Sequence, residues 1–241
     1  MTAIAVSDPS ALRDLMIANR ILANEGVLDA FGHVSIRHPD RPDHYVISRS
    51  LGPAYVSDAD LQCYTIAGEL VSGDERPGYV ERPIHAAIYE ARPDVMAICH
   101  NHSPSVIPYG VTGTALRPIF HAAALIGADI PTWDIADEWG DTDLLVRTME
   151  QGRSLARLLG PRTTALMRGH GSVVAGPNLK AIAQACIYME RNALLQMQAT
   201  ALGAVRYLTP GEVAAASAML QEPVVSTRTW NVWREKVGLS E

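Results

Sequence analysis

Two histidines separated by one residue, His100 and His102, follow the apolar run from Val95 to Cys99. In a β-strand, residues i and i+2 point to the same face and lie roughly 6.6 Å apart along it. A strand formed by the apolar run would therefore present both imidazoles on one side of its end, where their nitrogens can bind a single divalent metal ion. The alternative is two exposed histidines near a strand end.

Two further residues have side chains suited to the same site. His170 in "LMRGHGSVVAG" lies between Gly169 and Gly171, which allow the backbone to turn sharply and place the ring in a crowded position. Glu81 precedes a predicted helix. Its alternative role is to interact with the dipole and the free amides at the start of that helix. With the first two histidines, these residues predict an open metal site. In it, Glu81 either binds the metal or, displaced by substrate, moves protons.

The segments around these residues predict a mixture of helices and short strands. The spacing of apolar residues predicts an amphipathic helix in "SDPSALRDLMIANRILANEG". Alternating apolar residues punctuated by Pro and Gly predict a hairpin-rich sheet from "GHVSIRH", "HYVIS", "LQCYTI" and "GELVSG". "ERPIHAAIYEARPD" predicts a helix with Pro83 in its first turn, leading into a strand from Val95 to Cys99.

The second half of the chain continues this mixture. We predict a helix over "GDTDLLVRTMEQGRSLARLLGP", two short strands around a turn in "TALMRGHGSVVAG", and the longest helix in "NLKAIAQACIYMERNALLQMQATALG". From about Tyr207 onward, a short helix and an extended arm carry Trp230 and Trp233, which pack either on a neighbouring subunit or on the chain's own body. Because strands and helices do not alternate regularly, the pattern favours a single α/β or α+β domain.

Composition narrows the possible partners and location. The 241 residues are 48% hydrophobic and 19% charged, typical of a globular protein, and their net charge of −6 argues against a nucleic-acid surface. Three cysteines are too few for a disulfide framework and fit a reducing compartment. No signal peptide and no apolar run of ~18 residues is present, so we expect a cytoplasmic protein without a membrane partner.

The combination of motifs resembles the class II aldolase and adducin head-domain family. "ERPIHAAIYEARPDVMAICHNHS", followed by "MRGHGSVVAG", carries the likeness, and "ANEGVLDAFGHVSIRH" and "VISRSLGPAYVSDADL" extend it over roughly residues 10 to 205. The resemblance implies a three-layer α/β/α sandwich around a central, mostly antiparallel sheet. It also implies one domain over residues 1–241, with residues 206–241 as a C-terminal helix and arm, and a cyclic homotetramer with active sites between subunits.

The same resemblance assigns roles to the candidate ligands. It implies one divalent metal per chain, held by His100, His102 and His170, with Glu81 as the catalytic carboxylate. Imidazoles suit zinc, whereas oxygen ligands from Glu81 and a substrate also admit manganese. Adducins, which belong to the family, lack the metal site and serve structural roles, but this chain retains all the ligands.

The sequence departs from the family's sugar-phosphate aldolases where they bind phosphate. It has "GHVS" with His33 instead of asparagine, "SRSLG" instead of a threonine and glycine loop, and Tyr79 and Val80 in place of a serine pair. Tyr and Val cannot cradle a phosphate dianion as two hydroxyls at a helix start can. A phosphorylated substrate is therefore disfavoured, whereas Arg49 suits a planar carboxylate.

These departures resemble the branch that decarboxylates hydroxylated aromatic acids, such as hydroxypyridine dicarboxylate, dihydroxybenzoate and dihydroxyphthalate. The shared segments are "RSLGP", "RPIFH" and "LMRGHG", and His121 stands where aldolases tend to have a catalytic tyrosine lent by the neighbouring subunit. The resemblance implies proton transfer by Glu81 or His121. The predicted substrate-binding residues are His33, Ser48, Arg49, Ser50, Arg82 and Arg168.

The leading hypothesis is thus a metal-dependent, non-oxidative decarboxylase of a hydroxylated aromatic or heteroaromatic carboxylic acid. A metal bound to a ring hydroxyl and its neighbouring carboxylate can stabilise the electron density released as the carbon–carboxylate bond breaks. An aldolase or dehydratase acting on an unphosphorylated hydroxy-carbonyl compound would use the same residues. A non-catalytic, adducin-like assembly module is the third hypothesis.

Overall fold

A single eight-stranded sheet runs through the protein, for which the computed structural model describes residues 3–239. The strand order is β4-β3-β2-β1-β5-β8-β7-β6. The strands are β1 His33–Arg37, β2 His44–Ser48, β3 Leu61–Thr65, β4 Leu70–Gly73, β5 Ala97–Asn101, β6 Thr132–Trp133, β7 Thr164–Met167 and β8 Gly171–Gly176. Every neighbouring pair is antiparallel except β6 with β7, which is parallel.

Helices cover both faces of the sheet, which confirms the predicted α/β fold with a central, mostly antiparallel sheet. They are α1 Ser10–Asn24, α2 Arg82–Ala91, α3 Ile107–Val111, α4 Ala136–Trp139, α5 Met149–Leu159, α6 Leu179–Leu202, α7 Pro210–Leu220 and α8 Pro223–Lys236, with 3₁₀ helices at Pro53–Tyr55, Asp58–Asp60 and His121–Ile126. The core on one face is built with α1, α6 and α8, and the core on the other with α2 and α5. No helix among residues 3–239 combines the length and apolarity needed to cross a bilayer.

Alternation along β1 and β5 decides which side chains meet α2. Val34 and Cys99 belong to the core beneath α1 and α6, whereas Ile98 belongs to the core beneath α2 and α5. Because side chains two residues apart share a face, His100 points to the same side as Ile98. His33 is the direct partner of His100 across the antiparallel β1–β5 pair. The sheet therefore places two predicted site residues side by side under α2.

The structure differs from the sequence predictions in three segments. The strand predicted at Val95 to Cys99 lies at Ala97–Asn101, so His100 is inside the strand and His102 follows its end. The helix predicted from Gly140 begins only at Met149, because Thr148 caps it with a reciprocal Gln151 hydrogen bond. Before that cap the chain is a loop in which Leu144 adopts a φ of 65°.

The predicted C-terminal arm is also a helix rather than an extended segment. Pro223 starts α8, a position where its missing N–H has no helical partner to lose. Trp230 and Trp233 are buried in the core of their own chain, and the Trp233 ring lies 6.0 Å from that of Tyr188 on α6. These two aromatics therefore pack on the chain's own body.

Candidate metal centre and active site

His100 and His102 meet at the end of β5. His100 is fully buried, and hydrogen bonds of β5 to both β1 and β8 hold its backbone in the middle of the sheet. His102 lies just beyond the strand and is partly exposed. The Nε2 atoms of the two rings are 3.1 Å apart. The end of β5 and the residue just beyond it thus place two imidazole nitrogens at one point.

His170 reaches the same point from the turn between β7 and β8. Gly169 supplies a φ of 65° in this turn, a left-handed conformation that glycine adopts without strain. A Cβ at Gly171 would lie 2.2 Å from the Asn101 carbonyl oxygen and 2.9 Å from His102 Cδ2, so only glycine fits. The His170 ring centroid lies 4.8 Å from that of His100 and 5.1 Å from that of His102.

Glu81 completes the cluster from the residue immediately before α2. Its Oε2 is 3.8 Å from His100 Nε2 and 3.5 Å from His170 Nε2, while its Oε1 accepts the Val146 backbone N–H at 2.9 Å. Burial raises the pKa of Glu81, but the hydrogen bond to His170, the charge of His170 and the Val146 N–H outweigh burial and lower it to about 2. The side chain is therefore held as a carboxylate.

Each of the three rings has an oxygen acceptor at Nδ1, which leaves Nε2 for a ligand. The acceptors are the Ser172 carbonyl oxygen for His100 at 3.1 Å, the Asp29 carboxylate for His102 at 3.1 Å, and the Leu144 carbonyl oxygen for His170 at 3.0 Å. This is the arrangement that orients metal-binding histidines, because the second ring nitrogen donates to an oxygen and fixes the tautomer. The donor set therefore fits a divalent metal.

The ligand atoms also satisfy the distances that one ion requires. Nitrogens of His100, His102 and His170 lie within 4.8 Å of one another, and so do ligand atoms of His33, Glu81 and His100. Two overlapping sets of residues could thus hold an ion, with His100 common to both. The fully buried His100 pKa is held well below its ordinary value, first by burial, so its ring is neutral and available as a ligand.

A pocket of about 430 Å³ opens over the cluster. Its polar floor includes His33, Glu81, His102 and His170. Its apolar rim includes Phe31, which is 72% exposed, and Val80, which is 52% exposed. Within residues 3–239, no lysine or arginine lines this pocket. The pocket thus combines a polar floor with apolar walls, and its lining in the described residues has no lysine or arginine.

The structure brings some of the predicted substrate-binding residues to the pocket and others not. His33 and Ser50 line it. Ser48 is buried at the end of β2 and does not line it. The Arg49 Nε instead lies 2.8 Å from Asp60 and 3.3 Å from Asp74. Arg49 thus already has two carboxylate partners of its own chain.

The remaining predicted residues also lie outside the pocket lining of their own chain. Arg82 donates to the Tyr79 carbonyl oxygen at 2.5 Å, and its guanidinium lies 4.7 Å from the Tyr64 ring centroid. Arg168 forms an ion pair with Asp134. His121 is exposed at the start of its 3₁₀ helix.

Sequence reasoning missed the residues that position the ligands. Asp29 and Leu144 orient His102 and His170, yet neither follows from residue type or spacing, because both contacts join segments distant in sequence. His85 is not among the predicted site residues, yet its Nε2 lies 2.7 Å from His33 Nδ1. The available signal was its helical register: His85 lies one turn after Glu81.

Comparison with known proteins agrees with this fold. Residues 13–197 match the model of the Class II Aldolase and Adducin N-terminal domain. The chain belongs to this family. A family relative, Decarboxylase tropJ from Talaromyces stipitatus, is 32% identical over 250 residues, covering 94% of this chain and 93% of its own. The 3,4-dihydroxyphthalate decarboxylase from Arthrobacter keyseri is 26% identical over 237 residues, covering 93% and 91%.

A solved structure of the family supports the fold. L-fuculose 1-phosphate aldolase from Glaciozyma antarctica PI12 superposes with a TM-score of 0.77 at 22% identity, covering 95% of this chain and 90% of its own. The match to the family model confirms the membership predicted from the motifs. The fold brings His170, distant in sequence, to the point where His100 and His102 lie.

Proposed function

We propose that this protein is a metal-dependent, non-oxidative decarboxylase of a hydroxylated aromatic or heteroaromatic carboxylic acid. The names of the two relatives above, both decarboxylases, support this reaction. The observation that carries the proposal is the gathering of His100, His102, His170 and Glu81 under a pocket that lacks a phosphate cradle. Aldol cleavage of a sugar phosphate and decarboxylation both break a carbon–carbon bond. The two reactions differ in that only the first needs a binding site for phosphate.

The residues before α2 are unsuited to phosphate. Tyr79 is buried and its hydroxyl donates to the Leu51 carbonyl oxygen, so it is not free to bind an anion. Val80 presents an apolar side chain to the pocket instead of a hydroxyl. Phe31 and Val80 together offer apolar surface against which an aromatic ring can pack.

We assign the ion to His100, His102 and His170, with Glu81 as a further ligand that substrate can displace. A bound divalent ion would supply Lewis acidity toward a ring hydroxyl and the adjacent carboxylate. Three imidazoles favour zinc, and the oxygen ligands also admit manganese. The fixed Nδ1 hydrogen bonds keep the three rings in place, so the chain holds its site open without rearranging.

Glu81 is the group we assign to proton transfer. As a carboxylate it accepts the proton of the ring hydroxyl at Oε2. The carbon–carboxylate bond then breaks, carbon dioxide leaves, and the electron pair stays on the ring carbon. Glu81 returns the proton to that carbon, and solvent reprotonates the phenolate product. The Val146 N–H, bound to Oε1, holds the carboxyl group in position throughout.

His121 is assigned to the active site of a neighbouring subunit as a second proton-transfer group. Its exposed position, outside the pocket lining of its own chain, supports this role in a homotetramer. Three buried, free cysteines support a reducing, cytoplasmic location. The partner in this account is a small aromatic carboxylate.

Product analysis tests the proposal. The manganese- or zinc-loaded protein is incubated with ortho-hydroxy aromatic acids, with isomers lacking the ortho hydroxyl as matched controls. We expect carbon dioxide and the decarboxylated phenol from the former only. Aldehyde release from unphosphorylated hydroxy-carbonyl compounds, with no carbon dioxide from any acid, would replace the proposal with an aldolase. Absence of both products and of bound metal would favour an assembly module.

A further inference from the structure

Four buried polar side chains form a continuous line from the pocket into the core between β1 and α2. His33 Nδ1 lies 2.7 Å from His85 Nε2, His85 Nδ1 lies 2.6 Å from Ser35 Oγ, and Ser35 Oγ lies 2.9 Å from the Tyr89 hydroxyl. His33 and Ser35 share a face of β1, and His85 and Tyr89 share a face of α2. The mechanism above uses none of these hydrogen bonds.

The inner end of the line sets the direction of its first hydrogen bond. Among residues 3–239, the Tyr89 hydroxyl has one hydrogen-bond partner, Ser35. If Ser35 donated to Tyr89, the phenol proton would be buried without an acceptor, which is unfavourable. Tyr89 therefore donates to Ser35. The Ser35 proton is then left for its other neighbour, the His85 Nδ1 atom.

The same donor-to-acceptor direction continues through the imidazoles of His85 and His33. A neutral imidazole carries one proton, so a His85 ring that accepts at Nδ1 donates from Nε2. The acceptor of that proton is His33 Nδ1. His33, accepting at Nδ1, must then carry its own proton at Nε2. We infer that His85 is a positioning residue that presets His33 as a neutral N–H donor toward a substrate oxygen in the pocket.

Burial acts in the same sense as the hydrogen-bond geometry. Burial lowers the pKa of His85 to about 3, against a weaker opposing effect of the Glu81 charge. Burial, reinforced by the neighbouring His85, also holds the pKa of His33 well below its ordinary value. The hydrogen bonds require the same form, because a ring that accepts at Nδ1 carries its single proton at Nε2.

Two consequences follow for the site. A protonated Nε2 has no lone pair for a metal, so of the two overlapping ligand sets the one without His33 holds the ion. His33 also supplies the pocket, which no lysine or arginine of residues 3–239 lines, with a donor for negative oxygen. The identity of that oxygen rests on the proposed function: it is the oxygen of the substrate's ring hydroxyl or carboxylate, whose negative charge grows as carbon dioxide leaves.

The matched pair His85→Gln and His85→Glu tests the direction of the line. A Gln amide can accept from Ser35 with its oxygen and donate to His33 Nδ1 with its NH₂, which preserves the direction. A Glu carboxylate only accepts, so it draws a proton onto His33 Nδ1 and reverses the direction. Side-chain ¹⁵N NMR of the zinc-loaded, ¹⁵N-histidine-labelled protein reports which nitrogen is protonated, with a His33→Ala spectrum for assignment.

We expect His33 to be protonated at Nε2 in the wild type and in His85→Gln, and at Nδ1 in His85→Glu. We also expect kcat to fall about 100-fold or more in His85→Glu, with KM little changed, and within about tenfold of wild type in His85→Gln. His33→Ala should still bind one zinc ion. An unprotonated His33 Nε2 in the wild type, or loss of zinc binding in His33→Ala, would overturn the inference. Failure to decarboxylate any acid would instead overturn the proposed function, because the spectra do not depend on turnover.

Discussion

The Nε2 atoms of His100 and His102 lie 3.1 Å apart, although each ring already has an oxygen acceptor at Nδ1. When Nδ1 of each ring donates to its oxygen acceptor, the Nε2 atoms face each other at hydrogen-bond distance as two free ligand positions. A cation at this point would bind both Nε2 atoms. We therefore expect a divalent ion to stabilise the folded protein.

The stabilisation by metal can be measured directly. Saturating manganese or zinc at 100 times its dissociation constant should raise the free energy of unfolding by about 2.7 kcal/mol. The double variant His100→Ala, His102→Ala should lose this response to metal in a thermal or urea unfolding experiment. An equal metal response in wild type and double variant would place the ion elsewhere.

Asp29 should control metal affinity without being a ligand. Its carboxylate accepts from His102 Nδ1 at 3.1 Å and from the Phe31 and Gly32 N–H groups at 2.9 Å. Asp29→Asn keeps an acceptor oxygen but removes the charge, so we expect metal affinity to fall roughly 10–100-fold with little loss of stability. Calorimetric titration measures this. Asp43→Asn is the matched control, because Asp43 pairs with His44, and it should leave affinity unchanged.

Gly171 should tolerate no side chain. A Cβ there would overlap the Asn101 carbonyl oxygen and press on the His102 ring. We expect Gly171→Ala to lower stability by about 1–3 kcal/mol through overpacking and to weaken metal binding by displacing His102. Gly113→Ala, whose Cβ would meet no described atom within 4 Å, is the control. Unaltered metal binding in Gly171→Ala would show that the turn can adapt.

Arg49 should act on stability more than on substrate binding. Its Nε contacts Asp60 and Asp74 and it lies outside the pocket lining. We expect Arg49→Gln to lower the free energy of unfolding by about 1–3 kcal/mol and to leave KM within about twofold of wild type. A large rise in KM with unchanged stability would instead support the predicted carboxylate-binding role.

The ion pairs of Arg49 with Asp60 and Asp74 also predict how stability depends on pH. Hydrogen bonding by Arg76, aided by the charge of Arg49, lowers the pKa of Asp74, and Ser57 and Arg49 lower that of Asp60 despite its burial. A carboxyl group with a lowered folded-state pKa contributes stability above its unfolded value, about 3.9, that is lost as pH falls through the folded value. Urea unfolding should show the wild-type advantage over Arg49→Gln shrinking below about pH 4. An advantage that grows on acidification would contradict the sign.

His121 should work in another subunit's site. Glu81→Gln and His121→Ala proteins should each be weakly active alone, because each lacks one proton-transfer group. Unfolding and refolding them together should restore part of the activity, since mixed oligomers contain sites with both groups intact. Mixtures no more active than the sum of the two variants would exclude this role.

The sequence predicted which histidines lie together better than it predicted what surrounds them. His100, His102 and His170 stand out by residue type and by their place beside apolar strands, and strand periodicity placed the first two correctly on one side. The loop around Leu144 was missed because "DLLVRTMEQ" has helical spacing of its apolar residues. Only the Thr148 cap and the positive φ of Leu144 show where the helix begins.

Charged residues were the least predictable part of the site. Arg49, Arg82 and Arg168 lie beside site residues in sequence, yet each pairs with a group of its own chain. Whether an arginine faces a pocket or a neighbouring carboxylate depends on tertiary contacts that residue spacing does not report. His85 illustrates the same point, because its partners on β1 lie 50 or more residues earlier.

We expect one divalent ion, held by His100, His102 and His170, to be required for decarboxylation. Apo protein titrated with manganese or zinc, with carbon dioxide release from an ortho-hydroxy aromatic acid recorded at each addition, tests it most directly. We expect no release at zero metal, a rise to a plateau at one ion per chain, and no rise in the His100→Ala, His102→Ala variant. Release that is complete before metal is added, or equal in the double variant, would contradict it.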